Sequence, residues 1–187
     1  LPAMADNHED GDKMEAEAAE AESVTTEHSV RINGRTIRYT ATAGLMPIRN
    51  DDKDTIGLFG YTAYIKQDVE DPSTRPILFA YNGGPGSASI WLHMGVLGPR
   101  IIPVVDTEVT GPPPYGAVNN EHSILDVADL VMMDPVGTGY AILTGDGKPE
   151  DFWGVDPDIA AASQFISRFI TDNNRWQSPK FVLGESY

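Results

Sequence analysis

The chain has 187 residues, 41% of them hydrophobic, and a formal charge of −15, which suits one domain with a sizeable core and argues against nucleic acid as a partner. It has no cysteine, which excludes disulfides, a thiol nucleophile and cysteine-ligated metals. No apolar run approaches the roughly 20 residues needed to cross a bilayer, so no membrane partner is expected.

The charge is concentrated at the start. Leu1 to Glu27 hold nine acids against Lys13, a net −8 that leaves −7 for the other 160 residues. With almost nothing apolar to bury, residues 1–28 are expected to be an acidic, disordered leader, and deleting residues 1–24 is expected to leave folding unchanged. The first residues, Leu1-Pro-Ala-Met4, carry no signal-peptide apolar core and suit a mature or cut piece.

Globular sequence is expected from Ser29. Val30 to Tyr39 alternates and breaks at Asn33-Gly34, a hairpin signal. Gly57 to Ile65 is a second aromatic and β-branched run after the turn at Asn50 to Asp54. Asp68 to Pro76 is a charged, proline-containing loop. Ile77-Leu-Phe-Ala-Tyr81 has no charge and predicts a short buried strand. It runs into Asn82-Gly-Gly-Pro-Gly-Ser-Ala-Ser89, whose glycines let backbone N–H groups approach an anion closely. That anion is either a phosphate or the oxyanion of acyl transfer.

Ile90 to Leu97 predicts a two-turn helix stopped by Gly98-Pro99. Ile101 to Val105 predicts a strand interrupted by Pro103, and Gly111 to Tyr115 a surface loop. Ala128 to Met133 predicts a second buried strand, ending at Asp134-Pro-Val-Gly-Thr-Gly139. Asp156 is expected to cap a helix with Pro157 at its first position. Ile159, Ala162, Ile166, Phe169 and Ile170 are its expected inner face, and Asn173-Asn174 its end. Lys180 to Leu183 predicts a third strand. Strand, helix, strand implies a parallel sheet covered by helices.

The chain closes on Gly184-Glu-Ser-Tyr187. A serine on a tight turn after a buried strand is the setting of the nucleophile elbow Gly-x-Ser-x-Gly, of which four positions are present. In such enzymes one oxyanion donor is the N–H after the nucleophile and the other lies in a loop after an earlier strand. Both halves occur here. A phosphate loop would end in Gly-Lys-Ser/Thr, and this one does not.

Asn82-Gly-Gly-Pro-Gly-Ser-Ala-Ser89, Leu97-Gly-Pro99, Ala128-Asp-Leu130 with Asp134 to Gly139, and Gly184-Glu-Ser-Tyr187 resemble, in order, the successive signatures of the serine carboxypeptidases, the S10 peptidases. Trp91-Leu-His93 and Leu97-Gly-Pro-Arg100 resemble bacterial members most. The resemblance implies the N-terminal part of an α/β-hydrolase fold over residues 29–187: an antiparallel β-meander leading into parallel strands with helices, truncated after the nucleophile elbow. It implies Ser186 as nucleophile, the amides of Gly84 and Tyr187 as the oxyanion hole, and Asn82, Gly83 and Glu185 as ligands of a peptide's free C-terminal carboxylate. Glu185 would act protonated, since two like charges in contact disfavour ionisation of one; hydrolysis at acid pH follows. The family's Trp two residues before the Asn is Ala80 here, the Glu of its Glu-Leu-Gly-Pro is Val96, and its eukaryotic disulfides are absent.

In α/β-hydrolases the triad Asp and His follow the nucleophile, so they are expected in the missing C-terminal half of the same protein, and this chain is expected to be inactive alone. His8 and His28 sit in or beside the leader, and His93 and His122 are expected to be structural. Trp91 and Met94 are expected in the core, Tyr140 and Trp153 as candidate pocket walls, and the Asp134 to Gly139 turn on the substrate side. No metal-ligand spacing appears and no cofactor is called for. Secretion or a periplasmic location is implied by the family. A non-catalytic α/β binding module, or an acyltransferase or esterase on the same scaffold, is the alternative.

Overall fold

A computed structural model describes residues 22–103, 113–114 and 116–186. Two long antiparallel strands open it, β1 (Ser23–Ile32) and β2 (Arg35–Arg49). They join at Asn33 and Gly34, whose φ values of 49° and 77° give the mirror-image turn that suits the right-handed twist of a hairpin. β1 begins at Ser23, not near Ser29, with Ser23 opposite Gly44. The expected leader boundary is therefore too late, because the polar Ser-Val-Thr-Thr-Glu-His stretch finds backbone partners on β2 without burying side chains. Glu22 also takes the amide of Leu45 at 2.9 Å, so a deletion through residue 24 would cut into this ladder.

β3 (Thr55–Lys66) continues the meander antiparallel to β2. β4 (Ile77–Asn82) follows, then a single α-turn α1 (Ile90–Leu92) and a π-turn at His93–Leu97, where two turns of regular helix were expected. Short strands β5 (Arg100–Ile101) and β6 (Val118–Asn119) pair with each other; Val104 and Val105 of the strand expected there, and most of Gly111 to Tyr115, lie outside the described residues. β7 (Asp129–Asp134), β8 (Ile142–Leu143), helix α2 (Val155–Asp172) and β9 (Lys180–Glu185) complete the chain. The sheet runs β1-β2-β3-β7-β4-β9, with β8 on β3. Pairing is antiparallel as far as β7 and parallel from β7 through β4 to β9, which is the expected meander leading into parallel strands.

The apolar runs of β4 and β7 are buried because both their faces are covered. Phe79, Val131 and Met133 pack with Phe59 against Phe165, Phe169 and Ile170 of α2, while Ala80, Leu130 and Met132 face Leu92, Leu97 and Ile124 on the other side. Phe59 and Phe165 stack with ring centroids 4.7 Å apart. The inner stripe of α2 is Ala161, Phe165 and Phe169 with Ile170; Ile159 is 59% exposed. Of the expected stripe, Phe169 and Ile170 are buried, Ala162 and Ile166 pack half-buried against the same core, and Ile159 faces out; the helix starts at Val155, ahead of the expected cap Asp156, with Gly154 at its N-cap and Pro157 inside its first turn. Gln164 points outward as expected but grips the end of β2, accepting from the Arg49 amide at 2.7 Å and donating to the Arg49 carbonyl at 3.0 Å.

At the amino ends of the parallel strands lies a buried ion cluster that the sequence did not announce. Asp129, fully buried, accepts from Arg75 at 2.9 Å, Arg175 at 2.7 Å and the Lys66 amide at 2.9 Å. Arg175 also donates to the Arg75 carbonyl and to Ser178. The cluster ties together the segments entering β4, β7 and β9.

Candidate active site

β4, β7 and β9 run parallel, so their carboxyl ends, Asn82, Asp134 and Glu185, lie at one edge of the sheet, where open α/β sheets carry their sites. Asn82 stands opposite Glu185 in the β4–β9 register. Its side-chain amide donates to the Glu185 carboxylate at 3.2 Å, and its Oδ1 accepts the Leu92 amide at 3.0 Å. Asn82 is 6% exposed, a buried polar group with both ends satisfied. Two residues singled out separately by sequence are thus brought together.

Ser186 follows Glu185 on the exposed surface with φ +68°. A non-glycine residue held there carries local strain of the order of 1–3 kcal/mol, the kind of backbone found where a side chain is presented for chemistry. Gly184 precedes it under the Tyr81 ring; a Cβ on Gly184 would stand 2.8 Å from the Tyr81 hydroxyl and 2.9 Å from Cζ. Tyr187 lies outside the described residues.

Gly83 and Gly84 begin the loop after β4, and Gly84 has φ +126°. Ser87 donates its amide to the Gly83 carbonyl at 3.1 Å. Ser89, 2% exposed, donates its amide to Asp134 at 2.7 Å and its hydroxyl to the Met133 carbonyl. Both residues belong to quoted motifs, but nothing in their spacing pairs them, since the contact crosses from one strand end to the next.

His93 is structural, as expected: Tyr64 and the imidazole Nε2 share a 2.5 Å hydrogen bond. Burial pushes His93 below its ordinary pKa of 6.5, against an opposing pull from Asp134, and pushes Tyr64 up to about 12. His122 donates its backbone amide to Asn120 Oδ1 at 3.0 Å, so the asparagine caps that turn. His28 lies in β1, not beside a leader, and stacks on Tyr39. Trp91 is 72% exposed and not in the core, because the short α1 turns its outer face to solvent; Met94 is half-buried. Val96 is exposed, whereas Ala80 is fully buried. Tyr140 and Trp153 are exposed near the Asp134 to Gly139 turn, with the Trp153 indole over Gly137. Among the described residues no cluster of metal ligands occurs, and no helix is long and apolar enough to cross a membrane.

Residues 33–187 match the family described as serine carboxypeptidase. The chain is 31% identical over 144 residues to serine carboxypeptidase-like 45 of Arabidopsis thaliana, covering 73% of this chain and 27% of that protein. The crystal structure of Kex1(delta)p, a prohormone-processing carboxypeptidase from Saccharomyces cerevisiae, superposes with TM-score 0.61 at 24% identity, over 80% of this chain and 31% of that one, and establishes the shared α/β-hydrolase fold. This chain spans 27% of the plant relative and 31% of the yeast one. A plant and a yeast protein give no support to the bacterial character suggested by Trp91-Leu-His93.

Proposed function

The chain belongs to the serine carboxypeptidase family, and on that premise we propose that the protein of which it forms part is a serine-type carboxypeptidase, releasing C-terminal residues from peptides through an acyl-enzyme on Ser186. The Ser186 hydroxyl attacks the last peptide carbonyl, the C-terminal residue leaves as the amine, and water resolves the ester. The amides of Gly84 and Tyr187 take the oxyanion, each such donor being worth about 2.7–4 kcal/mol of barrier. Asn82, with Gly83 beside it, and Glu185 hold the substrate's free C-terminal carboxylate.

The observation that carries this proposal is the Asn82–Glu185 hydrogen bond of 3.2 Å immediately before the Ser186 turn. It gathers a donor amide and a carboxyl group beside a serine on a strained turn.

The triad Asp and His are proposed to lie in the remainder of the protein, after the nucleophile in chain order. The same portion would cover β9, whose Phe181 and Val182 are 56% and 60% exposed although parallel strands are normally buried on both faces. Secretion or a periplasmic location is proposed on family grounds.

Fluorophosphonate labelling of the full-length protein tests the nucleophile. Labelling at Ser186, lost in Ser186→Ala, is expected together with release of the C-terminal residue from a blocked dipeptide. Absence of labelling in the folded full-length protein would favour a non-catalytic module, and turnover of esters but not of peptides an esterase.

A further inference from the structure

The loop after β4 has few side chains with which to fix itself. Gly84 and Gly86 have φ of +126° and +97°, and a Cβ on Gly86 would meet nothing within 4 Å. Such a loop depends on its ends. The near end is set by the β4 ladder and by Asn82, which holds Leu92 and Glu185.

The far end is held by β7. The Ser89 amide donates to Asp134 Oδ1 at 2.7 Å, and the Ser89 hydroxyl donates to the Met133 carbonyl. The Asp134 carboxylate is itself confined, for a Cβ on Gly139 would stand 2.8 Å from its Oδ2 and 3.4 Å from Ala88 Cβ. β7 thus clamps the loop through two hydrogen bonds to one buried serine.

The geometry points to Asp134 and Ser89 as positioning residues that hold the Gly84-bearing loop so that its amide meets the oxyanion of the acyl-transfer transition state. This rests on the proposed role of Gly84. Neither residue touches substrate; both act through the loop. A preorganised donor works because it needs no reorganisation when charge develops, and loosening the far end of a glycine-rich arch removes that advantage. Carboxylate recognition at Asn82, anchored separately, is unaffected.

In the full-length protein, Asp134→Ala and Ser89→Ala are expected to lower kcat on a blocked dipeptide by about tenfold or more, to leave KM within about twofold, and to speed amide exchange across residues 84–89 while Gly83, held next to Asn82, stays protected. Asp134→Asn keeps an acceptor oxygen for the Ser89 amide and is expected to retain most of kcat. Unchanged exchange in both alanine variants overturns the clamp. So does an Asp134→Asn as defective as Asp134→Ala, which would make the charge the operative property. Faster exchange with kcat unchanged overturns the catalytic consequence. If the wild-type protein neither hydrolyses peptides nor labels at Ser186, the carboxypeptidase proposal falls, and the exchange data still decide the clamp. Ser89→Ala keeps the backbone contact and removes one hydroxyl, so it carries the test if Asp134→Ala does not fold.

Discussion

Asn82 and Glu185 face each other at the last rung of the parallel β4–β9 ladder, and the asparagine amide donates to the glutamate carboxylate at 3.2 Å. In sequence they are 103 residues apart. A register shifted by one would turn one of the two side chains to the opposite face, so the pair depends on the whole ladder from Ile77↔Lys180 upward.

Substrate recognition should therefore be separable from chemistry. In the full-length protein, Asn82→Ala is expected to raise KM for peptides with a free C-terminal carboxylate, lowering kcat/KM by about 10- to 100-fold, the value of a hydrogen bond to a charged group of about 1.5–3 kcal/mol. C-terminally amidated substrates should show no comparable loss. Equal losses on both substrates, measured by steady-state kinetics, would remove Asn82 from carboxylate binding.

Gly184→Ala should destabilise the elbow without touching the nucleophile. The added Cβ would meet the Tyr81 hydroxyl at 2.8 Å and ring carbons at 2.9 and 3.0 Å, overpacking expected to cost about 1–3 kcal/mol. In a double-mutant cycle with Tyr81→Ala the two losses should add to less than their sum. Denaturant melts provide the measurement, and strict additivity would show that the ring is not the obstacle.

Asp129→Ala should be among the most damaging single changes. It leaves the Arg75 and Arg175 guanidinium groups, both largely buried, without their carboxylate, and breaking a buried pair from one side costs about 3–5 kcal/mol. The loss should appear in the unfolding midpoint, not in fluorophosphonate labelling of whatever protein remains folded.

His93 predicts an acid-side loss of stability. Burial holds its pKa below the ordinary 6.5, so the unfolded chain binds a proton that the folded chain resists. Stability is full above about pH 6.5 and falls as pH drops below it toward the depressed folded value. His93→Gln should flatten that part of the profile in denaturant melts at pH 7.5 and 5.5. An unchanged slope would mean that carboxylates alone set it.

The strands and the loop were legible because their signals are local. An apolar run bounded by glycine and proline, an Asn33-Gly34 turn, and a serine right after a strand are each decided within a few residues, and their order implies both the meander and the parallel sheet. Trp91 and Ile159 were expected to be buried and are exposed. Aromatic character does not say whether a short helix has anything to pack against, and helical spacing does not say how far toward its first turn a helix is covered.

By itself the sequence determined the fold class, the family and the candidate residues Asn82, Gly83, Gly84, Glu185 and Ser186, because each is carried by a motif of contiguous residues. Only the tertiary structure decided that Asn82 meets Glu185, that Asp134 clamps Ser89, and that Asp129 draws in Arg75 and Arg175. Those pairings are set by strand order and register, and strand order is chosen by the burial of all the apolar faces together, a sum that no single stretch of sequence contains.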